Sequence, residues 1–401
     1  MEAHDKSGRG NKENRAMDGR NMKFLPYGLH WIDEQDIEEV VKILRSDWIV
    51  MGSKVKEFEN AVCNYVGSKH GIAVNSGTAA LDIAVNSLEI DTGEVITTPF
   101  TFVATAHSIL YAGLKPIFAD IQRDTFNIDP SEVEKKINKN TKAMIYVDFA
   151  GHPCEIEELK RIARQNDLWL IEDAAHALGA EYKGKKIGSF ADITIFSFHP
   201  VKHITTGEGG MCVTNDDELA EKMRILRNQG VETAALERFG PHGRWTYDVK
   251  MLGRNYRMTD FQAALGLSQF KKLDFFLKRR EEIAKIYMQE LADAQFLEPP
   301  VCRPCVRHAW HIFTVLVDRR ISRDKFIIHL REKGIGVTVH YTPIYRFSYY
   351  GKRFNFRPED FPVTEDVSER IVTLPLFPKM TDEDVMRVVS AVRDAGREIV
   401  R

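Results

Sequence analysis

The densest concentration of reactive side chains is the segment SFHPVKHITTGEGG (197–210), where Lys202 stands between Ser197 and a run of glycines. A lysine amine attacks carbonyl carbon once burial or a nearby cation has lowered its pKa. The glycines let other backbone approach closely. Upstream, LWLIEDAAH places Asp173 at the end of an apolar run, the position where open α/β sheets bind ligands. Earlier still, GIAVNSGTAAL sets Asn75, Ser76, Gly77 and Thr78 between an apolar run and a helical pattern. Backbone N–H groups at such a junction can hold a phosphate.

A loop lysine, a strand-end acid and a phosphate turn meet the needs of pyridoxal 5'-phosphate. That cofactor requires a lysine for its Schiff base, an acid against its ring nitrogen and an anchor for its phosphate. The acid keeps the ring nitrogen protonated, so the ring can accept electrons from a carbanion. A lone loop lysine is more often a solvated charge; the ordered set of three motifs carries the reading.

The elements that must position these residues follow from hydrophobic period. Seven short apolar runs are closed by polar or glycine-containing punctuation: GIAV (71–74), EVITT (94–98), PIFAD (116–120), AMIYV (143–147), LWLIED (168–173), ITIFSF (193–198) and MCVTN (211–215). Helical patterns such as Leu81/Ala84/Val85/Leu88 and Ile156/Leu159/Ile162/Ala163 lie between most of them. Strands buried on both faces and separated by helices predict an α/β fold with a mostly parallel seven-stranded sheet and helices on each side. The last two strands are the exception. The link between Phe198 and Met211 is short and broken by Pro200 and glycines, so this pair should run antiparallel. Ahead of the sheet, Ile37, Val40, Val41 and Leu44 form one helical face starting near Asp33, and Gly67 ends the next helix. A long helical stretch from about Thr259 to Leu291 leaves the sheet. A smaller C-terminal α/β unit follows, with candidate strands WHIFTVLV (310–317) and IGVTVHY (335–341) and helices near 322–333 and 381–397. The expected organisation is a disordered N-terminal extension (1–22), a large cofactor-binding domain (23–275) and a small C-terminal domain (276–401).

Composition narrows the class of function. The 401 residues carry 56 Lys plus Arg against 58 Asp plus Glu, a formal net charge of −2, which gives no reason to expect nucleic acid or an anionic membrane as partner. No run approaches ~18 uninterrupted apolar residues. Five cysteines are few and odd in number, which suits a reducing cytoplasm better than a secreted disulfide scaffold. Cys302 and Cys305 have the spacing of half a zinc site, but no second pair follows, so no metal is expected. His308 and His311, three apart at the start of a candidate strand, should face opposite ways and be structural. The basic run Lys278–Arg279–Arg280, beside Glu281 and Glu282, reads as a solvated helix face. Thr206–Gly210 has neither Walker nor dinucleotide spacing.

Together with TPFTFVAT (98–105), GRNYRMTDFQAALGLSQ (253–269), HAWHIF (308–313) and VHYTPIY (339–345), these motifs resemble the sugar aminotransferases of the DegT/DnrJ/EryC/StrS family, within the fold type I pyridoxal phosphate enzymes. The resemblance runs from about Phe24 to about Ala395. It implies a homodimer with shared active sites. It implies Lys202 as the Schiff-base lysine, Asp173 as the partner of the ring nitrogen, Phe102 as the stacking aromatic and His176 near the ring hydroxyl. Gly77, Thr78 and Ser197 would hold the phosphate, with Asn255 reaching across from the other subunit. Tyr27, Trp48, His340 and Tyr341 match positions lining the sugar-nucleotide pocket. His203 departs from the asparagine that many members carry after the lysine. VHYTPIY and HAWHIF look most like members that aminate C4 of a UDP-linked 4-keto sugar, with L-glutamate as donor and 2-oxoglutarate as product, in amino-sugar and cell-surface glycan biosynthesis. Two alternatives stand beside this one. A related branch acts as a sugar 3-dehydratase but carries histidine at the lysine position, and a non-catalytic cofactor-binding regulator would have lost Lys202 or Asp173.

Overall fold

The computed structural model describes residues 24–232 and 246–399; the expected N-terminal extension (1–22) lies outside them. All seven expected runs form strands of one sheet: β1 His70–Val74, β2 Glu94–Thr97, β3 Lys115–Phe118, β4 Thr141–Val147, β5 Trp169–Asp173, β6 Ile193–Ser197 and β7 Gly210–Thr214. Their spatial order is β1-β7-β6-β5-β4-β2-β3. The four pairings away from β7 and β1 are parallel in register, except for a shift at Glu94/Val95, while β7 runs antiparallel to both β1 and β6. The short 198–209 link thus does what its length demands.

Alternation along the strands feeds two separate cores, one on each face. Ala73, Met144, Tyr146, Phe196, Met211 and Val213 belong to one; Ile72, Val74, Ala143, Ile145, Ile195 and Cys212 belong to the other. The first face is covered by α2 (Ser53–Val66), α6 (Ile156–Gln165) and, further along the chain, α8 (Asp260–Phe270). The second is covered by α3 (Gly77–Asn86), α4 (Ala104–Tyr111) and α7 (Asp217–Arg227). Between α4 and α6 lies a short helix, α5 (Pro130–Lys136), capped by Asp129. Gly67 closes α2 in the left-handed conformation (φ 78°), as expected.

The first helix, α1 (Glu34–Leu44), starts with a capping box between Asp33 and Asp36. Its buried face is not the apolar one. Asp36 is fully buried and accepts from Gln269 and Lys272, whereas Ile37 and Leu44 are 47 % and 58 % exposed in the single chain. The long helical stretch expected over 259–291 is two helices, α8 and α9 (Leu273–Glu290), parted at Lys271–Lys272. Lys272 there turns its ammonium onto Asp33 and Asp36 at 2.9 and 2.6 Å.

The C-terminal unit has its own core. Strand β8 (Phe313–Val317) pairs antiparallel with β9 (Ile371–Leu374) and with the short strand Leu297–Glu298. Helices α10 (Arg323–Glu332) and α13 (Asp382–Ile399) pack on this sheet, with α11 (Ser348–Arg353) and α12 (Pro362–Arg370) between them in the chain. The segment 335–341 is not a strand. It bridges once to Leu25 from Ile335 and once to Thr373 from Thr338, then leaves the sheet and presents His340 and Tyr341 elsewhere. Helix α9 contributes Leu273, Phe276 and Leu277 to the large core and Ile283, Ala284 and Tyr287 to the small one, so the division expected at 275/276 falls inside a continuous helix.

Phe58 of α2 is fully buried, with its ring 5.0 Å from that of Phe198 at the start of the lysine loop. Phe58→Ala should cost about 3–5 kcal/mol of stability, seen as a lower urea midpoint with an unchanged m-value.

Candidate active site

The register of β7 brings three chain segments to one point. Val74 at the end of β1, Gly210 at the start of β7 and Ser197 at the end of β6 lie side by side. A Cβ on Gly210 would fall 2.4 Å from the Ser76 carbonyl oxygen and 2.8 Å from the Gly77 nitrogen. A Cβ on Gly77 would fall 2.9 Å from that of Ser197. Ser76 caps α3, accepting from the Ala79 N–H at 3.0 Å, so the free N–H groups of the first turn point out beside Thr78 and Ser197.

This turn forms one end of a cavity of about 740 Å³ at the C-terminal edge of the sheet. Ten of the twelve expected site residues line it: Tyr27, Gly77, Thr78, Phe102, Asp173, His176, Ser197, Lys202, His340 and Tyr341. Trp48 and Asn255 do not line it within one chain. Trp48 packs against Gly52, and the Asn255 carbonyl accepts from the Asn75 amide at 3.4 Å. A second cleft, of about 610 Å³, is lined by Arg319, Arg323, Arg346 and Arg370, whose charges are met by Asp324, Asp366, Glu369 and neighbouring acids.

The Lys202 amine faces the cavity 3.5 Å from Nε2 of His311. Burial lowers its pKa to about 8; Asp173 works against this and Arg280 with it. Asp173 is buried, which raises its carboxyl pKa, and three groups oppose that rise. Thr105 donates its hydroxyl to Oδ2 at 2.8 Å, the Ala175 N–H donates to Oδ1 at 3.2 Å, and the Lys202 charge lies nearby. His176 is held neutral by burial, reinforced by Lys202. Its Nε2 bonds to the Tyr341 hydroxyl at 3.1 Å, which leaves Nδ1 buried without a partner among the described residues. Phe102, 58 % exposed, offers its ring at the cavity mouth. His340, pushed down to about 4 mainly by burial, bonds Thr373 through Nδ1 at 2.8 Å and lies 5.6 Å from the Tyr27 ring.

Two residues at the site were missed by sequence reasoning. His311 is one: HAWHIF was in view, and the two histidines do part as expected, His308 stacking on Trp310 at 3.9 Å. The expected structural role did not anticipate that His311 would face the lysine. Thr105, the hydroxyl on Asp173, was legible only as part of TPFTFVAT. The solvated face expected at 278–280 needs correction. Lys278 is exposed, but Arg280 is buried, because its turn of α9 lies between the two cores.

A family model, the DegT/DnrJ/EryC1/StrS aminotransferase family, matches residues 30–393. The chain belongs to that family. The UDP-4-amino-4,6-dideoxy-N-acetyl-beta-L-altrosamine transaminase of Campylobacter jejuni is 41 % identical over 82 % of this chain and 86 % of its own. The solved structure of Helicobacter pylori PseC, an aminotransferase of pseudoaminic acid biosynthesis, superposes with a TM-score of 0.89 at 35 % identity, over 94 % of this chain and 100 % of that one. The protein described as sugar aminotransferase Spr1654 of Streptococcus pneumoniae, in its PLP form, gives 0.88 at 32 % identity, over 94 % and 99 %. The present chain is accordingly a pyridoxal-phosphate-dependent sugar aminotransferase of the α/β architecture these enzymes share.

The residues present fit that cofactor. The glycine-lined turn is a cradle that a Cβ at 77 would fill, Asp173 is a buried acid whose raised pKa three groups oppose, and Nδ1 of His176 lacks a partner among the described residues. Only a neutral amine attacks the cofactor aldehyde. Covalent capture of pyridoxal phosphate by the cofactor-free protein should therefore speed up as pH rises and level off above about 8. Stopped-flow absorbance across pH 6–10 (roughly two units either side) measures the midpoint.

Proposed function

We propose that the enzyme moves an amino group from L-glutamate to C4 of a UDP-linked 4-keto-deoxy sugar, as a homodimer with shared active sites in the cytoplasm. The observation that carries the reading is the placement of Lys202 opposite Asp173 in a cavity whose far wall is Tyr27, His340 and Tyr341. The name of the Campylobacter relative supports the UDP-linked sugar and the carbon, and that of the Helicobacter structure supports the sugar class.

Pyridoxal phosphate, when bound, supplies an electron sink for the pair left when the substrate α-carbon loses its proton. The chain's own residues do the rest. Ser197, Thr78 and the N–H groups at Gly77 would hold the phosphate, Asp173 would keep a proton on the ring nitrogen, and Phe102 would offer its ring as a stacking partner. Lys202, its amine depressed towards neutrality, would take the proton from Cα of glutamate and deliver it to C4′ of the cofactor, and in the second half-reaction would move a proton from that carbon to C4 of the sugar. His340 and Tyr341 line the wall against which the sugar lies. Lysine at position 202 favours transamination over the dehydratase branch, and the intact lysine–aspartate pair speaks against a non-catalytic regulator.

A panel of UDP-, dTDP- and GDP-linked keto sugars assayed with glutamate tests the substrate. Turnover is expected with a UDP-linked 4-keto sugar, with one 2-oxoglutarate formed per amine. No turnover with any UDP sugar, alongside turnover with another nucleotide, would refute the nucleotide assignment.

The dimer rests on the exposed apolar groups Ile32, Ile37, Leu44, Ile49 and Val50, and on Asn255 standing off the cavity of its own chain. In a twofold dimer the contact is reciprocal. Lys202→Ala and Asn255→Arg should each be inactive alone. Coexpressed, they give mixed dimers with one intact site of two, so activity should recover to about one quarter of wild type. Mixed dimers that stay inactive would place Asn255 within its own subunit's site.

A further inference from the structure

Arg280 is 1 % exposed, among the most deeply buried of the large side chains. Burial alone presses its pKa down to about 9, and no carboxylate offsets it among the described residues. A cation buried without a counter-ion is costly, so its other contacts carry the explanation. Nη1 donates to three backbone carbonyls, those of Trp310 at 3.3 Å, His311 at 2.9 Å and Leu376 at 3.1 Å. Nη2 donates to the carbonyl of Lys202 at 3.5 Å, and Nε has no partner among the described residues. The guanidinium thus ties the lysine loop of the large unit to two segments of the small one.

The residue it holds on the far side touches the lysine. A lysine ammonium has only donors, so in the 3.5 Å contact with His311 it is Nζ that donates and Nε2 that accepts. The proton of the neutral His311 ring then sits on Nδ1, which has no partner among the described residues. His203, next to Lys202, bonds the Ala309 carbonyl at 3.0 Å and closes the same junction between the two loops.

We propose that Arg280 is a positioning residue for Lys202: bonded at once to the carbonyls of Lys202 and His311, it holds the lysine amine against the His311 ring. The proposal rests on Lys202 being the cofactor lysine. Its electrostatic consequence has a definite sign. Asp173 is the carboxylate acting on the amine. His176, His199, His203, His311 and His340 around it are each pressed below the usual histidine value by burial, and Tyr341 is kept protonated. Arg280 is therefore the positive charge that offsets Asp173, and its removal raises the lysine pKa.

The test is capture of pyridoxal phosphate by full-length, cofactor-free protein, followed by absorbance against pH, with borohydride fixation and mass spectrometry to locate the adduct. Arg280→Gln keeps donors but not charge. With those donors keeping the Lys202–His311 contact, loss of the charge alone should move its midpoint up by about one pH unit, with capture at pH 7 slowed about tenfold. Arg280→Lys should recover part of the shift. A midpoint and rate unchanged in Arg280→Gln, whatever its melting temperature, would reduce the residue to a structural bond and overturn the proposal. Should Arg280→Gln not fold, His311→Leu decides. Removing the acceptor should lower the midpoint and reduce kcat with KM for glutamate unchanged, and wild-type values of both would refute the positioning. Lys202→Ala separates the two ideas: if it still forms the fixed adduct at the wild-type rate, the lysine assignment itself fails.

Discussion

With β7 running against both of its neighbours, the ends of β1 and β6 and the start of β7 meet in register at Val74, Ser197 and Gly210. No room is left there for a side chain at 77 or 210. That steric constraint organises the rest. It opens the first turn of α3 toward the cavity, sets Ser197 beside it, and fixes both ends of the loop that carries Lys202. A conventional parallel crossover at this place would carry the chain away over a helix. The antiparallel return keeps the lysine within reach of Asp173 on the adjacent strand β5.

Electrostatics within the cavity follow from desolvation more than from pairing. Burial is the largest influence on Lys202, Asp173, His176, His311 and His340 alike. On the bases it acts in the useful direction, keeping the imidazoles neutral and drawing the amine toward its nucleophilic form. On Asp173 it acts in the wrong direction, raising the carboxyl pKa against the ionised form that the role proposed for it needs. The hydroxyl of Thr105, the N–H of Ala175 and the Lys202 charge are the compensation. The lysine and the acid therefore stabilise each other's required state only in part, and the surrounding groups supply the remainder.

Much of this was legible in the sequence because it is encoded locally. Each strand of the large sheet is a continuous apolar run, since both of its faces are buried, and the antiparallel pair followed from loop length alone. Asp173 and Ser197 end strands, and Gly77 and Lys202 stand just beyond strand ends, where a reader of period and punctuation looks for them. The failures all depend on contacts distant in sequence. Segment 335–341 alternates like a strand, but its neighbours Leu25 and Thr373 each offer it one bridge, and its last residues are drawn into the cavity. The break at Lys271–Lys272 carries no proline or glycine; it accompanies a lysine reaching for Asp33 and Asp36, over 230 positions away. Arg280 sits in a charged string and looks solvated until the second core is known to lie against it.

That second core gives α9 its significance. One helix enters both cores, with Phe276 and Leu277 in the first and Ile283 and Tyr287 in the second, and Arg280 falls between these sets at the height of the lysine loop. A helix buried at both ends transmits position rather than flexing, since any bend must break packing in one core or the other. Through Arg280 this helix bonds the His311 carbonyl ahead of β8 and the Leu376 carbonyl beyond β9, so the small unit's side of the cavity is tied to the Lys202 loop by the same helix. The His340–Tyr341 side of the cavity and the Lys202–Asp173 side both adjoin the units that this shared element joins, and it lies outside every motif that marks the chemistry.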